Sequence, residues 1–237
     1  MMQRLFRLLA ALVVAAVAAG CATTGEKSSK DPWEGMNRGT HAFNTALDDV
    51  ILKPTAKAYV AVIPGFAREG VNNFFDNLED LNTGLQNILQ GKPKEGLGDL
   101  GRLLVNSTVG IFGLWDVATP LGLEKHYEDF GQTLGKWGVG PGPYLVLPLL
   151  GPSTIRDAPA RIVDPSWWFS EAVNPESLWW GIWGLEKVRT RANLIQSESV
   201  LDQAAIDKYS FIRDAWLQRR RSQVYDGSPP RLKDDED

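Results

Sequence analysis

The sequence contains almost no cysteine or histidine. Among 237 residues there is one cysteine, Cys21, and there are two histidines, His41 and His126. A single cysteine excludes an internal disulfide, and the usual zinc-site patterns cannot be assembled without a second one. The sequence also lacks the H-E-x-x-H, Walker and G-x-S-x-G motifs of zinc proteases, nucleotide-binding proteins and serine hydrolases. We therefore expect no metal, no cofactor and no activated nucleophile.

Basic residues are too few to favour a polyanionic partner. Lys and Arg total 25 against 29 Asp and Glu, a formal net charge of −4. This balance argues against a nucleic-acid-binding protein. The one local acid–base group is His126, Glu128 and Asp129, and adjacent charged residues in a linker are more often solvated than catalytic. We therefore predict a protein that is not an enzyme.

The N-terminal residues have the pattern of an export signal. Arg4 and Arg7 precede an apolar stretch over residues 8–19, and small residues lead directly to Cys21. The apolar stretch is shorter than the roughly 20 residues that span a bilayer as a helix. We predict a lipoprotein signal peptide over residues 1–20, lipidation of Cys21, and a flexible tether over residues 21–30. The alternative is an ordinary signal peptide with a coincidental cysteine.

Two amphipathic helices are predicted next. One begins at Asp31, whose side chain would cap it, and ends at Pro54; the other covers residues 71–90. The second carries amides opposite its apolar stripe and no Lys or Arg: Asn72, Asn73, Asn77, Asn82, Gln86, Asn87 and Gln90. Neutral amides can hydrogen-bond phosphate and glycerol groups. We select Asn73, Asn77 and Asn87 as lipid-path candidates, and an ordinary polar helix face remains the alternative.

The centre of the chain is nearly free of charge. Residues 103–115 and 137–155 contain no charged side chain. Small residues that would allow close helix packing are Gly98, Gly101, Gly110 and Gly113. Four prolines between residues 141 and 152 exclude a straight helix there, and no convincing β alternation is present. The second segment is therefore either a buried core loop or part of a pore wall.

Nine tryptophans are an unusually large number for a chain of 237 residues. Five of them cluster between residues 167 and 183: Trp167, Trp168, Trp179, Trp180 and Trp183. Tryptophan suits the membrane–water interface, which accommodates both its apolar ring and its polar N–H group. We predict that these five residues are interfacial anchors, and the alternative is a plain aromatic core.

The C-terminal part has the composition of a soluble amphipathic helix. Apolar residues recur at helical spacing among charged ones after residue 186. Residues 219–221 are consecutive arginines, which we interpret as a solvated helix end. Residues 228–237, after Gly227, form an acidic segment that we predict to be disordered.

Long motifs between residues 31 and 227 carry a resemblance to a known family. They are DPWEGMNR at 31–38, LKP at 52–54, NFFDNL at 73–78, LQGKP at 89–93, RLLVNSTVGIFGLWDVA at 102–118, EDFGQTLGKWGVGPGPYLVLPLLGPSTIRD at 128–157 and DKYSFIRDAWLQRRR at 207–221. In these motifs the chain resembles the MlaA/VacJ family of outer-membrane lipoproteins. The resemblance covers essentially one domain, residues 31–227.

The resemblance implies an all-α fold whose amphipathic and interfacial helices form a ring around a central polar channel. Such a ring would be embedded in the inner, periplasmic leaflet of the outer membrane of a Gram-negative bacterium. It would remove misplaced phospholipids from the outer leaflet, pass them to a periplasmic carrier protein, and associate with a trimeric porin. Within this picture we select Gly138, Gly140 and Gly142 as hinge candidates, because glycine tolerates the dihedral changes of a gate. The alternatives are a porin-binding scaffold that moves no lipid and, less favoured, a lipid hydrolase.

Overall fold

The computed structural model of the chain describes residues 30–162, 176–204 and 207–231. The elements are α1 (Glu34–Leu47), a π-helical turn (Asp48–Leu52), α2 (Lys53–Val62), α3 (Gly65–Leu89), α4 (Pro93–Thr108), α5 (Phe130–Lys136), β1 (Tyr144–Leu147), β2 (Gly151–Thr154), α6 (Asp157–Ile162), α7 (Glu176–Ala204) and α8 (Lys208–Val224). The prediction of a helical fold is therefore confirmed. The signal peptide, Cys21, nearly all of the tether, Trp167, Trp168 and the tail beyond residue 231 lie outside the described residues.

The first helix differs from the prediction at both ends. Asp31 does not cap it; the preceding residue is Trp33, without a side-chain cap, and Asp31 instead accepts a hydrogen bond from Asn37 at 2.7 Å. Pro54 does not end the helical path, because a π-helical turn over Asp48–Leu52 leads directly into α2. Pro54 then lies in the first turn of α2, where a missing N–H group costs little.

Helices α3 and α4 form a tight pair joined by the turn at Gly91, whose φ of 81° suits glycine. Their closest backbone approach is at Gly84 and Gly96. A Cβ atom on Gly96 would lie 2.6 Å from the Gly84 carbonyl oxygen. Of the glycines selected from the sequence, Gly98 meets open space, whereas a Cβ atom on Gly113, in the loop after α4, would lie 2.6 Å from the Asn77 side chain of α3.

The charge-free segment contains a short hairpin that the sequence did not reveal. Strands β1 and β2 pair antiparallel, with Tyr144 opposite Thr154 and Leu147 opposite Gly151. Each strand has only four residues, and Pro152 lies within β2. Proline is tolerated there because both strands of a two-stranded sheet are edges. Four residues are too few to display clear alternation.

An aromatic cluster joins the hairpin to α8. Tyr144, Val146 and Tyr209 are buried together, and Trp216 packs against them. Asn37 of α1 completes this contact, since its amide accepts from the Val146 N–H at 2.9 Å and donates to the Tyr144 carbonyl at 3.1 Å. The N-terminal and C-terminal motifs therefore meet at the hairpin.

Candidate functional site

Helices α3 and α4 place polar residues inside and apolar residues outside. The buried polar side chains are Asn77, Asp80, Thr83, Gln86, Asn87, Asp99, Arg102 and Asn106. The exposed apolar side chains are Leu81, Leu85, Ile88, Leu89, Leu97 and Leu104. Leu104 is 66% exposed, whereas Asp80 and Asp99 are fully buried. This arrangement is the reverse of a helix pair in water, and it suits an apolar environment around the protein.

Ion pairs occupy the interior between these helices. Arg102 Nε lies 3.3 Å from Asp80 Oδ2, and its Nη2 lies 3.2 Å from Asp116 Oδ2. Lys125 Nζ donates to Asp80 Oδ1 at 2.6 Å. Burial raises the pKa of Asp80, against the opposing effect of Lys125 and Arg102. A buried charge is tolerated only when it is paired in this way, so this network holds α3, α4 and the following loop in one arrangement.

The three amides selected from the sequence hold α3 to its neighbours. Asn87 is 1% exposed and donates to Asp99 Oδ2 at 2.8 Å. Asn77 donates to Ser107 Oγ at 2.9 Å, and Asn73 donates to a backbone carbonyl of the loop after α4 at 3.2 Å. The Oδ1 atom of Asn77 is buried without a hydrogen-bond partner. Of the three, Asn77 therefore keeps an unused acceptor in the interior.

The candidate hinge glycines lie on an exposed segment between α5 and β1. Gly138 and Gly142 have φ values of 92° and 66°, which favour glycine. A Cβ atom at Gly138 or Gly140 would meet nothing within 4 Å. The ends of the segment are held: Trp137 Nε1 donates to the last backbone carbonyl of α3 at 3.1 Å, and the Arg156 N–H bonds a carbonyl of the segment at 3.2 Å. Arg156 also donates from Nη1 to the Val139 carbonyl at 3.4 Å, so it contacts the middle of the segment as well.

Three of the five selected tryptophans belong to α7. The rings of Trp179 and Trp180 meet edge to face at 4.4 Å between centroids, and Trp183 follows at 6.0 Å from Trp180. Trp180 is 50% exposed. Lys187 lies 5.6 Å from the centre of the Trp183 ring. A half-exposed ring at Trp180 and a cation over the neighbouring ring of Trp183 are compatible with an interfacial position.

The acid–base group is paired instead of solvated. His126 Nδ1 lies 3.0 Å from Asp99 Oδ1, and Glu128 accepts from Lys92 Nζ at 3.1 Å. Asp129 caps α5 by accepting from a backbone N–H at 2.9 Å. Each of these three side chains therefore already has a partner within the protein.

Arg220 belongs to residues 219–221, for which the sequence predicts a solvated helix end. It is buried and pairs with two carboxylates, Asp129 at 2.5 Å and Asp157 at 3.0 Å. Burial opposes ionisation of Asp157, but the hydrogen bonds and charges of Arg220 and Arg156 outweigh it and lower its pKa. The clamp fixes α8 against the starts of α5 and α6. The spacing of charges along α8 does not predict these ion pairs, because both partner carboxylates belong to segments far away in the sequence.

The motifs that meet in this structure are shared with known proteins. A sequence model described as "MlaA lipoprotein" matches residues 29–223, most of the chain. The chain belongs to the MlaA lipoprotein family. Two relatives, from Shigella flexneri and Escherichia coli K12, are 37% and 38% identical, each alignment covering 84% of this chain and 81% of the relative. Both are named "Intermembrane phospholipid transport system lipoprotein MlaA".

A solved structure supports membership of the MlaA family at the level of the fold. It is described as "Structural basis for maintenance of bacterial outer membrane lipid asymmetry" and is 36% identical in sequence. The match has a TM-score of 0.71 and covers 82% of this chain and 98% of the other. Within the described residues, no helix has the length and apolarity to cross a bilayer.

Proposed function

We propose that this MlaA-family chain transports phospholipid, removing molecules misplaced in the outer leaflet of the outer membrane and passing them toward the periplasm. The observation that carries the proposal is the reversed polarity of α3 and α4, with ion pairs inside and leucines outside. A protein with this surface is stable against acyl chains, because its charges are paired in the interior, away from lipid tails. The names of the relatives support the same assignment.

The proposed location is the periplasmic leaflet of the outer membrane. Lipidation of Cys21 would anchor the chain to the membrane, and an apolar exterior would let the folded domain itself enter the leaflet. The tryptophans Trp167, Trp168, Trp179, Trp180 and Trp183 would set the depth of the ring-shaped domain at the interface.

The proposed path is a polar channel through that domain, closed by the segment around Gly138, Gly140 and Gly142. Head groups would pass the amides Asn73, Asn77 and Asn87, and the unused Oδ1 atom of Asn77 supports that role. The lipid would leave to a soluble periplasmic carrier, and a trimeric porin would hold the protein in place. No covalent step is needed, so we propose a non-enzymatic transporter.

The test is lipid transfer from vesicles that contain the full-length lipoprotein and porin to purified carrier. Gly138→Pro should slow the transfer of labelled phospholipid at least tenfold, because proline cannot adopt a φ of 92°. Gly181→Ala is the control, since that glycine is exposed on α7 and its Cβ would meet nothing within 4 Å.

Other outcomes would overturn the proposal in recognisable ways. Porin binding without lipid transfer by the unmodified protein would favour the scaffold. Release of free fatty acid would favour a hydrolase. Equal transfer by Gly138→Pro and Gly181→Ala would remove the hinge assignment.

A further inference from the structure

Three buried hydrogen-bonding groups near the junction of α2 and α3 have no partner. They are the Tyr59 hydroxyl, the Arg68 Nε and the Arg189 Nε, contributed by α2, α3 and α7 respectively. Leaving a buried polar group unsatisfied costs stability, so native proteins rarely keep several such groups at one place without a reason. We call these three residues the α2–α3–α7 cluster.

Arg189 brings a buried cation to this cluster. It is 8% exposed; its Nη1 donates to Asp76 Oδ1 at 3.1 Å, and its guanidinium lies 4.8 Å from the centre of the Phe75 ring. These contacts fix the guanidinium plane while the Nε–H remains unused. The geometry therefore presents an oriented donor.

Arg68 adds a second cation. Its side chain turns back toward the start of α3, with Nη2 3.9 Å from the position of a Cβ on Gly65. That helix end has no side-chain cap and no acidic residue in its first turn, so its positive dipole is not neutralised locally. Burial raises the pKa of the Tyr59 hydroxyl, and the charges of both guanidiniums oppose this effect only in part.

The charge balance of the cluster is positive. Among the described residues, the carboxylate that pairs with an arginine of the cluster is Asp76, which pairs with Arg189. Unused donors with excess positive charge fit a ligand that offers only acceptors. Val62 and Phe66, which are 75% and 79% exposed, flank the same junction and offer an apolar surface to chains attached to such a ligand.

We propose that Tyr59, Arg68 and Arg189 form an oxyanion site that takes a phosphate group. The phosphate is the phosphodiester of a phospholipid or free inorganic phosphate, and the neighbouring apolar surface favours the former. The inference rests on the proposed phospholipid transport and deepens it, because it assigns a place where a head group is held. Arginine suits this task through its planar donors.

The test is binding to the full-length lipoprotein in neutral detergent. Three probes are compared: dihexanoyl-phosphatidylglycerol, inorganic phosphate and dihexanoylglycerol, which lacks phosphate. Arg68→Gln should weaken binding of the phospholipid at least tenfold, and Tyr59→Phe about threefold. Arg219→Gln removes the same charge from an exposed position on α8 and should leave binding unchanged.

The melting temperature separates a binding role from a structural one. Arg68→Gln removes an unsatisfied donor, so the melting temperature should stay equal or rise, whereas loss of a structural arginine would lower it. Arg68→Lys, which keeps the charge, should recover part of the binding.

Binding of inorganic phosphate as tight as that of the phospholipid would support the site but assign it to free phosphate. Unchanged phospholipid binding in both Arg68→Gln and Tyr59→Phe would overturn it, as would equal binding of dihexanoylglycerol. Failure of this site is distinguishable from failure of the transport proposal. If transport is wrong, the unmodified protein moves no lipid to the carrier; if only the site is wrong, transfer continues in Arg68→Gln at its normal rate.

Discussion

Arg220 shows how one side chain can hold several elements. Its guanidinium pairs with Asp129 and Asp157, which begin α5 and α6. Arg220→Gln leaves two carboxylates close together without their shared cation, and removing one partner from a buried ion pair costs about 3–5 kcal/mol. We expect that loss in the free energy of unfolding, measured by urea titration in mild detergent.

The matched control for this substitution is one residue away. Arg219→Gln removes an equal charge from an exposed position, where a change of at most about 0.5 kcal/mol is expected. Equal losses for the two variants would mean that Arg220 contributes no more than general surface charge.

The ionisation of Asp116 makes the free energy of unfolding depend on pH. Burial opposes its ionisation, but hydrogen bonds from Thr119 and Asn106 and the charge of Arg102 outweigh burial and lower its pKa to about 2. A carboxyl whose folded pKa lies below its unfolded value stabilises the fold above the unfolded pKa, here 3.8. That contribution is lost as the pH falls from about 4 to about 2.

The size of the effect is about 1–2 kcal/mol, because partial exposure of Asp116 screens its interactions. Unfolding free energies at pH 6 and pH 3 measure it. Asp116→Asn should flatten the curve by about half of this amount between those values, because the loss is only about half complete at pH 3. A variant curve parallel to that of the unmodified protein would show that other carboxyls account for the acid sensitivity.

At the scale of elements, the α3–α4 pair depends on two glycines. Gly96→Ala would bring a Cβ to 2.6 Å from both the Gly84 carbonyl oxygen and Ile88 Cγ1. The helices must then separate, and overpacking of this kind costs about 1–3 kcal/mol. Gly98→Ala lies on the same helix in open space and should stabilise by about 0.5–1 kcal/mol through helix propensity. Opposite shifts in urea midpoint are the expected result, and a stabilising Gly96→Ala would contradict the close approach.

The sequence predicted the helices better than their orientation. Apolar periodicity predicted α3 over residues 71–90, because a 3.6-residue repeat is visible within one segment, but the helix begins six residues earlier, at Gly65. The same pattern does not say which face is buried, and here Asn87 is inside while Leu89 is outside. The hairpin was missed because its strands are four residues long, and the Arg220 clamp because its carboxylates lie 63 and 91 residues away along the chain. An ion pair between residues far apart in the chain produces no pattern within either segment.

At the scale of the whole molecule, apolar residues dominate several exposed surfaces. Besides α3 and α4, the loop after α4 exposes Phe112 and Trp115, and α2 exposes Val62. Exposure of this many large apolar side chains is unfavourable in water. Replacement of Cys21 by Ser removes the proposed lipid anchor, yet the mature protein should still need detergent. A monodisperse monomer in detergent-free buffer, measured by light scattering, would contradict membrane embedding.

The position of the tryptophans relative to lipid is the sharpest test of that embedding. In vesicles containing brominated phospholipid, an exposed ring at the interface loses fluorescence, whereas a ring inside the protein does not. Trp180 is half-exposed on α7, while Trp216 packs against Tyr144 with ring centroids 6.1 Å apart. Trp180→Phe should therefore reduce the quenched part of the emission, and Trp216→Phe should reduce only the unquenched part. If Trp180→Phe left the quenched part of the emission unchanged, the Trp180 ring would not face lipid, and the interfacial assignment of the α7 tryptophans would be wrong.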